Sequence, residues 1–105
     1  MRHSYRHDIA ATDADFEAGL SRISYTWDLA DAVKNADLVI EAIPERLDIK
    51  KPFYNKIGEM APKEAIFTSN SSTLVPSALM EDTGRSSQFL NMHFANQVWL
   101  NNTAE

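Results

Sequence analysis

Cysteine is absent from the 105 residues, so neither a disulfide framework nor thiolate chemistry contributes to fold or function. Glycine is scarce: Gly19, Gly58 and Gly84 are the only three, and no G-x-G-x-x-G pattern can be assembled from them. A glycine loop that cradles phosphate at a helix N-terminus is therefore missing from this stretch of chain. Basic residues are outnumbered, 10 Lys and Arg against 15 Asp and Glu, leaving a formal charge of −5. That balance argues against a general binder of nucleic acid or of anionic membranes. No apolar window approaches the ~18 residues that a bilayer-spanning helix needs. The polar start, Met1 to Asp8, has no apolar stretch that could act as a secretory signal. A cytoplasmic enzyme, or a piece of one, is the expected setting.

What remains is ordinary for a small globular domain: 44% hydrophobic and 24% charged residues, enough for one core and no more. Residues 1–20 read as a polar N-terminal segment with scattered apolar residues at Ile9, Phe16 and Leu20. Within it, Asp13 to Leu20 suits a short helix capped by Thr12 or Asp13. Ile23 to Thr26 alternates like a short strand. Asp28 then caps a helical turn or two from Leu29 to Lys34. The run from Ala36 to Ile43, ending at Pro44, is apolar and rich in β-branched residues, the pattern of a strand buried on both faces of a parallel sheet. Ile49, Phe53, Ile57 and Met60 follow at helical spacing, with Lys50, Lys51, Asn55, Lys56 and Glu59 on the other face. Pro52 predicts that this helix starts near Lys51 or kinks there. Ala65 to Thr68 reads as a second buried strand, Pro76 opens a short helix that stops before Gly84, and Phe89 to Phe94 reads as a third strand. Strands alternating with helices imply βαβ units and a parallel sheet, an α/β fold.

In open parallel sheets, ligands sit beyond the C-terminal ends of the strands. Three polar clusters fall there: Pro44-Glu45, the run Ser69 to Thr73, and His93 to Asn96. Each also has a plain structural explanation. Serine-rich runs after strands usually form turns and caps. A lone histidine such as His93 is more often hydrogen-bonded scaffolding than a catalyst. Glu45 suits a solvated first-turn carboxylate. His3 and His7 stand four apart, yet no further ligand cluster accompanies them, so no metal site is expected. Trp27 and Trp99 are expected to pack against neighbouring elements.

Taken in order, Ala36-Asp37-Leu38-Val39-Ile40-Glu41-Ala42-Ile43-Pro44-Glu45, Ser69-Asn70-Ser71-Ser72 and His93-Phe94-Ala95-Asn96 resemble the 3-hydroxyacyl-CoA dehydrogenase family, of the 3-hydroxybutyryl-CoA dehydrogenase kind. The resemblance runs from about Ile23 to Glu105, and the intervals of 21 residues from Ser72 to His93 and 12 from His93 to Glu105 fit it. It implies that residues 21–105 are part of a Rossmann-type NAD-binding domain, the second half of its parallel sheet, incomplete at both ends. It further implies that His93 is the catalytic base, Glu105 the carboxylate paired with it, and Ser72 the serine that holds the substrate's C3 oxygen. Glu45, Lys50, Ser72 and Asn96 would lie near the nicotinamide and its ribose. These roles make chemical sense. Imidazole titrates near neutrality and can take the hydroxyl proton, a carboxylate can hold its tautomer, and a serine hydroxyl can donate or accept.

The segment departs from the family pattern at Ala95 and Gln97, where phenylalanine and proline are usual, although one branch of the family reads H-F-A-N-Q. The implied parent enzyme oxidises a 3-hydroxyacyl-CoA with NAD in fatty-acid metabolism and is a dimer when complete, with no nucleic-acid or membrane partner. The alternatives are an inactive truncated product and a non-catalytic α/β interaction module. Acyl chain length and NAD against NADP stay open, because the discriminating residues are not in the chain. In the strand order 3-2-1-4-5-6 the chain would hold strands 3 to 6, leaving the Asp37 to Ile43 strand as an unpaired, hydrophobic edge.

Overall fold

The structure, a computed structural model, describes residues 3, 4, 7, 10–101 and 103–105; Ile9 lies outside the described residues. The chain divides into two compact units, Met1–Tyr25 with Ala95–Thr103, and Thr26–Phe94 with Ala104–Glu105.

The first unit contains helix α1, Asp13–Leu20. Thr12 caps it through a reciprocal pair: its hydroxyl accepts from Asp15 N, and the Asp15 carboxylate accepts from Thr12 N. Two orphan amides are satisfied by two side chains, which is why so short a helix starts where it does. Ile23 to Thr26, expected as a strand, is irregular; among the described residues no strand pairs with it, and a strand needs a partner for its backbone hydrogen bonds.

The second unit runs through α2 (Leu29–Val33), β1 (Leu38–Glu41), α3 (Leu47–Met60) and β2 (Ile66–Ser69). Short 3-10 turns at Pro76–Ala78, Met80–Thr83 and Ser86–Gln88 then lead into β3, Phe89–Asn91. The sheet order is β1-β2-β3 and both pairings are parallel, in register from Leu38↔Ile66 to Glu41↔Ser69 and from Phe67↔Phe89 to Ser69↔Asn91. This is an open parallel sheet with flanking helices, the Rossmann-type α/β class that the sequence predicts. Among the described residues β1 is an edge strand, also as expected.

The core fills the helix side of the sheet. Tyr54 and Ile57 of α3 pack with Phe67, Phe89, Val33, Ala61, Ala65 and Leu79, and the Tyr54 ring meets Phe89 edge-on at 5.1 Å. The opposite side is only partly covered. Leu38 and Ile40 are 44% and 47% exposed, and Ile66 and Leu90 beside them are similar. The expectation of strands buried on both faces therefore fails on that side. Apolar residues at both alternating positions mark the intended burial, but the described residues leave these four side chains partly exposed.

Helix α3 departs from expectation twice. It starts at Leu47, four residues before Lys51, and carries Pro52 inside it. The proline removes a backbone donor but still permits helical φ, and Lys50 N already closes on Arg46 O at 2.9 Å. Its buried stripe is Lys50, Tyr54 and Ile57, so Lys50 lies inside rather than on the solvent face. A buried counter-charge, described below, explains the difference. Pro76 does start a helical stretch and Gly84 ends it in the left-handed conformation, φ +66°, but the turns between are 3-10. Trp27 does not pack as expected; it is fully exposed, and Trp99 is half-exposed. No helix among the described residues is long and apolar enough to cross a membrane.

Candidate functional site

The three strands end side by side, and Glu41 and Ser69 are register partners at those ends. Glu41 is buried. Its Oε1 accepts from Lys50 Nζ at 2.6 Å and from Ile43 N at 2.7 Å. Its Oε2 accepts from Lys50 Nζ at 2.8 Å, Tyr54 Oη at 2.9 Å and Ser69 Oγ at 2.8 Å. A buried carboxylate is tolerated only when paired and fully hydrogen-bonded, and every contact here is a donor. Burial, followed by the Glu41 charge, pushes the Tyr54 hydroxyl far up from its ordinary value, so it stays a donor.

Lys50 also reaches Glu45 Oε2 at 3.3 Å. Glu45, 37% exposed at its side chain, uses its other oxygen on the loop after β2. Oε1 accepts from Ser71 Oγ, from Thr73 N at 3.2 Å and from Thr73 Oγ1 at 3.0 Å. The Ser71 hydroxyl is the main cause that pulls the Glu45 carboxyl from 4.5 down to about 2; Thr73 and Lys50 help, and partial burial opposes them. Ser72 sits between the two clamped residues and is itself exposed.

That loop is tied to the neighbouring strands as well. Asn70 N donates to Glu41 O at 2.8 Å, and Met92 N donates to Ser69 O at 2.9 Å. Asn70 Oδ1 accepts from Phe94 N at 2.9 Å, which fixes the residue directly after His93. His93 and Glu105 face each other in an antiparallel pair. His93 N donates to Glu105 O and Glu105 N to His93 O, both at 2.9 Å. Residues that exchange both bonds project their side chains to the same face, so imidazole and carboxylate share a face with their Cα atoms about 5.5 Å apart.

Of the residues singled out in the sequence, Glu45 and Lys50 are thus joined by one network that also holds the two neighbours of Ser72, and His93 and Glu105 by a backbone pair in the same unit. Asn96 belongs to the other unit, where its carbonyl accepts from Asn101 Nδ2 at 2.7 Å. Glu41 and Tyr54 escape sequence reading as site residues, and Ser69 enters it only as part of a polar run. The available signal was a carboxylate inside an otherwise apolar strand, nine residues before a lysine. An open cavity of about 670 Å³, lined by Gly58, Lys63 and the segment Gly84 to Gln88, lies at the N-terminal ends of β2 and β3, away from this chemistry. The His3 and His7 rings stack at 5.7 Å, and no group of three metal-ligating side chains occurs among the described residues.

The sequence model described as 3-hydroxyacyl-CoA dehydrogenase, NAD binding domain, matches residues 3–105. The chain belongs to that family. It is 42% identical over 87 residues to a probable 3-hydroxybutyryl-CoA dehydrogenase of Deinococcus radiodurans, covering 83% of this chain and 31% of that protein. It is 39% identical over 88 residues to the mitochondrial hydroxyacyl-coenzyme A dehydrogenase of Sus scrofa, covering 84% and 28%. Among solved structures, a diketoreductase described as catalysing reactions of dicarbonyl compounds superposes with a TM-score of 0.92 at 53% identity, over 97% of this chain and 36% of that one. The 3-hydroxybutyryl-CoA dehydrogenase of Escherichia coli K12 superposes at 0.82 with 28% identity, over 96% and 21%. The chain therefore spans about a third of the length of the relatives it matches.

Proposed function

We propose that this chain is the catalytic portion of the NAD-binding domain of an enzyme that interconverts 3-hydroxyacyl-CoA and 3-oxoacyl-CoA in fatty-acid metabolism. The single observation that carries the reading is the His93–Glu105 backbone pair beside the Ser72 loop, at the strand ends of a chain of this family. In the oxidation, His93 takes the proton from the C3 hydroxyl as that O–H bond breaks, and Glu105 steadies the imidazolium. Ser72 holds the C3 oxygen while the carbonyl forms. NAD, when bound, accepts the hydride that leaves C3. Glu45, Lys50, Ser72 and Asn96 form the cofactor side; Ser72 and Glu45 have surface to offer, whereas Lys50 contributes from behind through its ion pairs.

The residues present fit the reactive end of the cofactor and not its pyrophosphate, for which no glycine loop exists in the chain. Residues 21–105 are read as the partial domain and 1–20 as a polar extension. The complete enzyme is read as a cytoplasmic dimer without nucleic-acid or membrane partners; a cysteine-free sequence that needs no oxidising compartment supports that location. A second reading has specific support in the 53% identity to the diketoreductase: reduction of a dicarbonyl compound that carries no CoA.

The test uses the longer polypeptide that contains this chain, assayed for NAD reduction with 3-hydroxybutyryl-CoA and, in reverse, with a free diketone. His93→Ala should lower turnover by about 100-fold or more, and Glu105→Gln by less. Turnover of His93→Ala within a few-fold of the parent would remove histidine from the mechanism. Activity with the diketone alone would favour the second reading.

A further inference from the structure

We propose that Glu45 is a positioning residue that sets the orientation of Ser72, and that the buried Glu41–Lys50 pair fixes Glu45 in turn. The inference rests on the reading of Ser72 as the serine that meets the substrate oxygen. Its support is the asymmetric use of one carboxylate. Oε1 of Glu45 accepts from the residue before Ser72, through the Ser71 hydroxyl, and from the residue after it, through the Thr73 amide and hydroxyl at 3.2 and 3.0 Å. Three donors on one oxygen tie both neighbours of Ser72 to a single point. Oε2 faces Lys50 Nζ at 3.3 Å. The three protons of that ammonium meet the two Glu41 oxygens, at 2.6 and 2.8 Å, and Glu45. Lys50 thus has no proton left for another partner, and Glu45 cannot swing without leaving a buried cation short of an acceptor.

The same loop is held from below. Ser71 N donates to Ser69 Oγ at 3.3 Å, and Ser69 Oγ donates to Glu41 Oε2 at 2.8 Å. Leu74 N closes the turn on Ser71 Oγ at 2.8 Å. Ser69, Ser71 and Thr73 are each pinned to one of two carboxylates, while Ser72 itself is exposed. A displacement of about 1 Å in a group that contacts reacting atoms can lower rate about 100-fold, so the collar matters to kcat.

The experiment is a double-mutant cycle in the longer enzyme. Ser72→Ala, Glu45→Ala and the double variant are compared by kcat and by the KM for NAD. Glu45→Ala should lower kcat by about 10- to 100-fold, in addition to any change in the KM for NAD. In the Ser72→Ala background the same change should have almost no further effect on kcat. Glu45→Gln keeps an acceptor oxygen for the three donors but turns its NH2 toward Lys50, so it should recover part of the lost kcat. Thr73→Val, at an exposed position, removes one collar donor without disturbing the fold, and its loss in kcat should also vanish beside Ser72→Ala. It serves should Glu45→Ala not fold. A full, independent loss from Glu45→Ala or Thr73→Val on top of Ser72→Ala would overturn the positioning role. So would a kcat unchanged by Glu45→Ala, whatever the KM for NAD. If Ser72→Ala alone leaves kcat unchanged, it is the assignment of Ser72 that fails, and the inference falls with it.

Discussion

Replacing Glu41 by glutamine keeps the shape of the side chain and removes its charge. All contacts to the carboxylate come from donors: Lys50 Nζ, Tyr54 Oη, Ser69 Oγ and Ile43 N, within 2.6 to 2.9 Å. Whichever way the amide is turned, its NH2 group faces at least two of them. Placed toward Oε1 it confronts Ile43 N and Lys50 Nζ; placed toward Oε2 it confronts Lys50, Tyr54 and Ser69. Lys50 keeps one amide oxygen as acceptor, but its only remaining counter-charge is Glu45, at 3.3 Å and on a partly solvated side chain. Breaking a buried ion pair by removing one partner costs about 3–5 kcal/mol, and each stranded buried donor adds about 1–3 kcal/mol. A loss of about 4 kcal/mol is the conservative sum, a large share of the ~5–15 kcal/mol that holds most domains together. Urea denaturation of parent and Glu41→Gln chains, followed by far-ultraviolet circular dichroism, measures it. Replacing both Glu41 and Lys50 by leucine and methionine should cost less than either single change, since no lone charge remains. If Glu41→Gln unfolds within 1 kcal/mol of the parent, the network does not hold the strand ends as argued here.

Gly58 of α3 has no room for a side chain, since a Cβ there would stand 2.5 Å from Thr83 O; Gly58→Ala should lose about 1–3 kcal/mol from forced displacement, despite the better helix propensity of alanine, and thermal melting will show it. Glu45 is depressed from 4.5 to about 2, so its contribution to stability is present in full above pH 4.5 and is lost as pH falls toward 2. The full shift would amount to about 3 kcal/mol, which solvent screening at a side chain 37% exposed reduces to about 1 kcal/mol; Glu45→Gln should flatten that part of the acid-denaturation curve, and an unchanged curve refutes it. Arg85 holds three carbonyls, Gly58 O at 2.8 Å, Pro62 O at 2.6 Å and Ala65 O at 3.2 Å, with its guanidinium 4.2 Å from the centre of the Phe67 ring. Lysine cannot reproduce that planar fork, so Arg85→Lys should cost about 2 kcal/mol, and an unaltered denaturation midpoint counts against it. The partly exposed face of Leu38, Ile40, Ile66 and Leu90 next to an unpaired β1 edge should make the isolated chain associate; a monodisperse monomer in size-exclusion chromatography with a cooperative melt above about 60 °C contradicts that.

Period and punctuation made most of the fold legible. The β-branched run before Pro44, the helical spacing after it and the second and third apolar runs each became an element of the expected kind. Boundaries moved by a few residues, as they do wherever caps and neighbouring bonds decide the ends. What periodicity could not show was the sign of burial at Lys50. A lysine between Ile49 and Lys51 reads as solvent-facing unless its partner is known, and that partner sits on another element nine residues earlier. The same limit hid the roles of Tyr54 and Ser69, which exist only once the strands are in register. Ile23 to Thr26 failed for the opposite reason: alternation was present locally, but a strand is a property of two segments, not one. At the candidate site, the clustering at strand ends was readable from topology alone, whereas the division of labour between Glu45 and Ser72 was not.

The loop from Ser69 to Thr73 is bonded to β1 through Asn70 N, to the end of β3 through Ser69 O and Asn70 Oδ1, and to Glu45 through Ser71 and Thr73. Ordering the backbone of a flexible residue costs about 1–2 kcal/mol, so a floppy five-residue loop would face a penalty of several kcal/mol whenever a ligand needed it still. Here the folding of the unit has already removed that freedom. A ligand that docks on Ser72 can therefore keep nearly all of its contact energy as affinity, and no slow loop closure should appear in its association kinetics.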